Sequence, residues 1–408
     1  MAKDVHPPRG MRDFLPLEKT KRDAILDVIR DTYRSHGFQE IETPVLEDIA
    51  RLTSGQGGDN EKLAFRVMKR GAELDSALAA SGEAGADQLA DLGLRYDLTV
   101  PLTRYYATNR AKLPTIFKAI QAGPVFRAER PQKGRYRQFV QCDIDIIGDA
   151  TELAEVELLT ASLSALANIG LSDASIRVNH RALLASNIAA LGVPADQAGS
   201  AMITIDKLDK VGVEGVATEL AEKFGASVSA SATTWLNSLQ GELAVPAELA
   251  SIFNAVHAMH PGKLRFDPTL VRGMGYYTGP IFEIEHPESG SSIGGGGRYD
   301  GMVGRWLGTD APAVGISIGF ERAIDLLPEP AANAGGVLLV LADDSAEVLA
   351  HALLLQSKLI AAGDQVRLER RPKKLNLLLE NLASQGYSRF VVVDTNTDAA
   401  SLELRPIA

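Results

Sequence analysis

TIFKAIQAGPVFRAERPQKGRYRQFVQCDIDIIG, Thr115 to Gly148, sets two strand-like runs on either side of a turn rich in charge, proline and glycine. Two such runs joined by a short turn make a hairpin, and hairpins build antiparallel sheets. The turn, FRAERPQKGRYRQF (Phe126 to Phe139), carries Arg127, Arg130, Lys133, Arg135 and Arg137 against Glu129 alone. A solvated basic hairpin has this composition. So does a phosphate site in which Arg127, fixed on a strand, offers the two parallel donors of its planar guanidinium.

Upstream, Leu17 to Ser35 reads as an amphipathic helix, with Ile25, Val28, Ile29 and Tyr33 at helical spacing and Gly37 as its stop. QEIETP then alternates like a strand ending at Pro44, SGQGGDNE is a loop, and LGLRYDLTV is a further strand-like run. Downstream a helix follows Thr151, and Arg181 to Pro261 changes to alanine-rich helical text. Strand-like text returns at LRFDPTLV and PIFEIEH, and AVGISIGF leads into a helix, ERAIDLL. PEPAANAGG (residues 328–336) is the clearest linker. Beyond it GVLLVLA, VRLE and FVVVD alternate with helical segments, an order that predicts a small α/β domain with a mostly parallel sheet. The fold class expected is therefore α+β: a catalytic-type domain over residues 1–327 with a helical insertion at about 181–262, a linker at 328–335, and an α/β domain at 336–408.

A chain of 408 residues with 45% apolar and 23% charged residues suits two or three ordinary globular domains. Its one cysteine, Cys142, excludes an intrachain disulfide and a cysteine-rich zinc site, and no protein-held metal is expected. The N-terminus has no apolar leader-like run and nothing approaches a bilayer span, so no membrane partner and a cytoplasmic location are expected. The net charge of −10 looks wrong for a nucleic-acid binder. Phosphates respond to local patches, however, and basic residues cluster at Arg127–Arg137 and Arg367–Lys374.

Three further segments carry chemistry. LVRGMGYYTGPIFE (Leu270 to Glu283) is the strongest signal, because an arginine, two glycines and a tyrosine pair before a strand serve no obvious packing need. GGGGRYDG (Gly294 to Gly301) is not a dinucleotide loop: no βαβ unit surrounds it and no ribose-binding acid stands at the expected distance. It reads as a flexible turn or as a place where a ligand approaches the backbone closely. In APAVGISIGFERAIDLL (Ala311 to Leu327) small residues on a strand precede Arg322 near a helix start.

Together these segments resemble the histidyl-tRNA synthetases, a family of class II aminoacyl-tRNA synthetases. GFQEIETPVLED is similar to the family's first motif, FRAERPQKGRYRQF to its second and AVGISIGFER to its third. LVRGMGYYTGPIFE and GGGGRYDG resemble segments particular to the histidine enzymes, and RYDLTVP and IDKLDK fit as well. Gly275 departs from the acid the family often has before its tyrosine pair, and the C-terminal domain is shorter than the usual anticodon-binding module.

The resemblance implies a class II catalytic domain on an antiparallel sheet and an anticodon-binding-like second domain. It implies activation of L-histidine by ATP with Mg²⁺, transfer to tRNA-His, and a homodimer joined through the first motif. It places Asp97 and Thr99 at the histidine ammonium, Gln141 at the amino-acid backbone, and Asp145 with Tyr277 at the imidazole; Tyr276 joins this group. Arg127 and Arg272 would flank the α-phosphate, with Arg322 on the phosphate tail and Glu129 and Tyr299 on the ATP side. Gln132, Lys133 and Arg135, together with Arg367, Arg370, Arg371, Lys373 and Lys374, would meet tRNA. A non-catalytic regulatory paralogue, of the kind that partners ATP phosphoribosyltransferase, is the alternative; such proteins typically lose the arginine–tyrosine segment, which this chain keeps.

Overall fold

The computed structural model describes residues 5–54, 58–80, 86–132, 134–241, 243–273, 276–328, 335–398 and 402–407. It divides into two compact units, Met1–Asp13 with Ile25–Leu327, and Phe14–Ala24 with Pro328–Ala408. Among the described residues no helix is long and apolar enough to cross a membrane.

In the first unit the strands begin with β1 (Gln39–Glu40), β2 (Leu46–Asp48), β3 (Phe65–Met68), β4 (Ala90–Leu94), β5 (Phe117–Phe126) and β6 (Gln138–Ile147). They continue with β7 (Ser175–His180), β8 (Leu264–Phe266), β9 (Pro280–Glu285), β10 (Gly294–Arg298) and β11 (Ala313–Gly319). Eight form one sheet in the order β1-β5-β6-β11-β10-β9-β7-β8, and β2-β4-β3 make a small second sheet. The six central strands of the large sheet run antiparallel, as the hairpin around Gly134 predicts. Its two outermost strands are parallel to their neighbours, which makes the sheet mixed.

Alternation along the strands sorts the sheet into two faces. Cys142, Ile144 and Ile146 of β6, Ile176 and Val178 of β7, and Phe282 and Ile284 of β9 bury on one face with Val314, Ile316 and Ile318 of β11. Helices Leu153–Asn168 and Ala247–Met259 cover that face with Leu158, Leu159, Ile252 and Val256. Four other helices between Arg181 and Ser238 pack around their own cluster, including Leu184, Ile188, Val216 and Leu220. The alanine-rich stretch is thus not uniform, because its last helix belongs to the sheet's core.

Two sequence expectations change here. LGLRYDLTV is not one strand: β4 ends at Leu94, and a helix runs from Thr99 to Asn109. The Asp97 carboxylate accepts the Val100 amide at 3.1 Å, and this local bond competes with strand pairing and turns the chain into the helix. GGGGRYDG is no flexible turn, since Gly294–Arg298 is a central strand. A Cβ at Gly296 would lie 1.9 Å from the Gly315 carbonyl oxygen, and one at Gly294 would lie 2.4 Å from that of Ser317. Only glycine fits between such neighbours. Arg298 closes the strand by a buried bidentate pair with Glu155, at 2.6 and 2.7 Å.

The second unit holds β12 (Gly336–Leu341), β13 (Val366–Arg370), β14 (Tyr387–Val393) and β15 (Arg405–Pro406) in the order β13-β12-β14-β15. The first three are parallel and β15 is antiparallel to β14, so the segment after FVVVD supplies an edge strand. Helix Ala346–Ala361 packs on Val337 and Leu339, and helix Leu375–Ala383 packs on Leu338 and Val340. Alternate residues of β12 therefore send one helix to each face.

Candidate active site

The face of the large sheet that the covering helices leave open floors a cleft of about 1160 Å³. One row of register partners crosses it: Gln121, Asp143, Ser317, Gly295, Glu283 and Arg177, on β5, β6, β11, β10, β9 and β7. The next row holds Asp145, Gly315, Gly297 and Ile281. Two glycines in these rows make room for functional side chains. A Cβ on Gly295 would stand 2.8 Å from Arg272 Nη1, and one on Gly315 would stand 1.9 Å from Asp145 Oδ1.

One cluster lining the cleft is acidic. Asp97, Asp143 and Asp145 are between 2% and 4% exposed, so each carboxylate has lost most of its hydration. Burial lifts Asp97 to about 6, against the pull of the Val100 amide and of Arg127. It lifts Asp145 to about 7, although the Tyr299 hydroxyl donates to Asp145 Oδ1 at 2.6 Å. Asp143 is pushed well above the ordinary carboxylate range by burial and then by Asp145 beside it. Asp97 Oδ2 and Gln141 Oε1 are buried and accept no hydrogen bond from the protein, which leaves two acceptors with capacity for a ligand donor. The Tyr276 and Tyr277 rings meet edge-on at 4.7 Å, and Tyr299 packs against Tyr276 at 6.1 Å.

A second cluster is basic. Arg127 donates from Nε to the Tyr96 carbonyl at 3.0 Å, with its guanidinium 5.0 Å from the centre of the Phe139 ring. Arg322 hydrogen-bonds the carbonyls of Ser292 and Gly134. Its pKa is lowered by burial first and then by Arg135, with Arg127 and Arg272 adding repulsion and Glu129 opposing it. Three arginines thus repel Arg322, and a cluster of this sign suits an anion of several charges. Arg272 makes a 3.0 Å ion pair with Glu283.

A sequence model of the histidyl-tRNA synthetase family matches residues 10–81 and 86–323. The chain belongs to the histidyl-tRNA synthetase family. It is 50% identical to the histidine–tRNA ligase of Leifsonia xyli subsp. xyli, across all of this chain and 99% of that one. It is 42% identical to the probable histidine–tRNA ligase of Tropheryma whipplei (strain Twist), across 99% of both. The crystal structure of histidyl-tRNA synthetase from Nostoc sp. PCC 7120 superposes with a TM-score of 0.77 at 25% identity, over 99% of this chain and 97% of that chain. An ATP phosphoribosyltransferase regulatory subunit/histidyl-tRNA synthetase from Bacillus halodurans C gives 0.76 at 21% identity, over 95% and 97%, and shows a shared fold alone.

Every described site residue that the family resemblance suggests in the first unit lines this one cleft. Asp97, Thr99, Gln141, Asp145, Tyr276 and Tyr277 do so with Arg127, Glu129, Gln132, Arg135, Arg272 and Arg322. Lys133 and Gly275 lie outside the described residues. Tyr299, expected on the ATP side, donates its hydroxyl to Asp145 Oδ1 at 2.6 Å, with its ring packed beside Gly315. Arg370, Arg371, Lys373 and Lys374 lie in the other unit, exposed around the end of β13. Asp143, Ser317 and Arg177 went unnoticed in the sequence. The spacing of Gln141, Asp143 and Asp145 could have revealed the first, since alternate residues of a strand share a face.

The Asp97 carboxyl binds its proton more tightly in the folded chain than in the unfolded one. Stability therefore falls as pH rises from about 4 to about 6, and above that the penalty is constant. Asp97→Asn keeps an acceptor for Val100 and removes the charge. It should raise stability at pH 8 by about 1–3 kcal/mol, with the gain disappearing below about pH 4. Urea unfolding of the ligand-free protein at both pH values measures this, and a variant less stable than the parent at pH 8 would contradict it.

Proposed function

We propose that this cleft activates L-histidine with ATP and then passes the histidyl group to tRNA-His. The carboxylate oxygen of histidine attacks the α-phosphorus, the bond to the leaving oxygen breaks, and pyrophosphate departs. A hydroxyl at the 3′ end of the tRNA then attacks the carbonyl carbon, gives up its proton and displaces AMP. The protein is an aminoacyl-tRNA synthetase, a histidine–tRNA ligase by its family and by its 50% identity to one across the whole chain. The observation that carries the mechanism is one cleft lined by a cluster of three buried carboxylates and by a cluster of arginines, as an amino acid's ammonium meeting a polyphosphate requires.

In this reading Asp97 Oδ2 takes the histidine ammonium with Thr99, and Gln141 Oε1 takes a donor of the amino-acid backbone. Tyr299 occupies Asp145 Oδ1, so Asp145 Oδ2 is left for an imidazole N–H, with Tyr277 across the ring. A pocket of buried polar partners rejects analogues steeply, because a wrong side chain leaves those partners unpaired. Arg127 and Arg272 flank the α-phosphate, Arg322 holds the phosphate tail, and Glu129 lies where adenosine enters.

Among the described residues no group of three His, Cys, Asp or Glu side chains could hold a metal. Mg²⁺ would enter as part of the substrate, with the nucleotide. Bound, it would supply charge neutralisation for the leaving pyrophosphate. A regulatory paralogue would not need the acid and arginine clusters together. Gln132, Lys133 and Arg135 at the hairpin tip meet the acceptor end of tRNA in this reading.

The first-motif helix and strand pair two copies into a homodimer, which sedimentation at micromolar concentration tests; a stable, active monomer would contradict it. In the second unit Arg367 and Arg370 pair with Glu369 and Asp344, at 2.5 and 3.3 Å, while Arg371, Lys373 and Lys374 are exposed. Reversing the charge of Lys373 and Lys374 should weaken tRNA charging and its dependence on salt while leaving histidine activation unchanged. If both reactions fell together, this edge would not be reading RNA. Arg272→Ala should lower histidine-dependent ATP–pyrophosphate exchange by about 10²–10³-fold, the usual effect of removing one preorganised donor to a developing charge. Near-normal exchange in a stable Arg272→Ala protein would overturn the reading.

A further inference from the structure

The row of side chains across the cleft floor ends in a pair that the proposed reaction leaves without a task. Arg177 of β7 and Glu283 of β9 are direct register partners, and their side chains meet at 3.3 Å. On its other side Glu283 holds Arg272 at 3.0 Å, above Gly295, the glycine that clears space for that guanidinium. One carboxylate is therefore shared by two arginines. Arg177 is anchored independently of it, by Asp267 at 2.6 Å and Asp209 at 2.9 Å. Asp267 in turn accepts the amide and hydroxyl of Thr269, at the start of the loop that carries Arg272.

Consider what must happen when a phosphate enters. Arg272 donates from Nη1 to Glu283, a carboxylate whose side chain is 20% exposed, and turning that nitrogen to the phosphate, so that the full fork faces it, loosens its hold on Glu283. Stranding a largely desolvated anion opposes that move, and the opposition is smaller where a second cation is already in contact. We infer that Arg177 is a positioning residue for the activation step: it keeps Glu283 satisfied so that Arg272 is released to the α-phosphate. The inference rests on the proposed placing of Arg272. It assigns Arg177 no contact with substrate, and it gives Glu283 the role of a rest position for Arg272.

A purely structural Arg177 would act through Asp209 and Asp267, and those pairs do not depend on Glu283. The test is therefore a double-mutant cycle in histidine-dependent ATP–pyrophosphate exchange with the full chain. In Arg177→Met, Glu283 has Arg272 alone and grips it harder. The exchange kcat should fall at least about tenfold while the KM for histidine moves by no more than about twofold, the mark of an interaction needed chiefly in the transition state. Adding Glu283→Gln removes the competing charge and should restore most of that loss. If the double variant is as slow as Arg177→Met or slower, or if Arg177→Met is as active as the parent, the inference is overturned. Should Arg177→Met fail to fold, Arg177→Lys serves in its place, since one ammonium cannot span three carboxylates; the same rescue by Glu283→Gln is required. Arg272→Ala distinguishes the two levels. If it exchanges normally, the placing of Arg272 itself fails; if it is inactive and Glu283→Gln gives no rescue, only the role of Arg177 fails.

Discussion

Three buried carboxylates that act on one another, Asp143 and Asp145 on one face of a sheet and Asp97 on the turn after β4, are the constraint around which the first unit is arranged. Asp97, Asp143 and Asp145 have each lost nearly all their water, and their affinity for protons rises accordingly. A fold carries such a cluster only if its remaining core is firm and if binding later returns the cost. The firmness comes from the opposite face, where isoleucines, valines and leucines of the same strands meet two covering helices. Because alternation divides the two faces, each acidic residue of β6 is flanked by apolar neighbours pointing away from it.

Glycine is the second half of that arrangement. β10 and β11 bring backbone so close to backbone at Gly296 that a methyl group has no place, and they leave space over Gly295 and Gly315 for Arg272 and for the Asp145–Tyr299 contact. A strand of four glycines is weak by propensity. Here it is clamped by ladders on both sides and by the Arg298–Glu155 pair at its end. The glycines thus act as negative space, and the same geometry explains why a segment that looks flexible in sequence is among the most buried in the structure.

The sequence was most readable where pattern and partner are local. The hairpin flanking Gly134, the helix ending at Ser35, the strand AVGISIGF and the parallel β12-β13-β14 run all follow from short-range signals. It was least readable where a residue's meaning depends on distant strands. Glycines 294 to 297 need knowledge of Gly315 and Phe282 to be seen as a strand, and Arg177 acquires its partners from β9, from the first turn of helix Leu208–Phe224 and from Asp267 just after β8. The contact of Tyr299 with Asp145 depends on Gly315, sixteen positions further on, having no side chain. Family likeness supplied which residues gather in the cleft. It did not supply the row that joins them.

The net charge of −10 does not decide what the cleft can hold; local charges do. A cleft that must hold a zwitterion beside a polyphosphate needs opposite charges near each other yet not spent on one another. Arg127 is the residue at which the two clusters meet: Asp97 steadies its charge, burial works against it, and it in turn restrains the rise of the Asp97 pKa. Its Nε is committed to the Tyr96 carbonyl, so the guanidinium is held by backbone and by the Phe139 ring and makes no ion pair with the carboxylate. In the proposed reading, an amino acid whose ammonium lies on Asp97 then has its carboxylate drawn toward Arg127, on the side where the α-phosphate waits. Orientation of the nucleophile follows from two fixed opposite charges, and the acidic surplus elsewhere on the chain has no part in it.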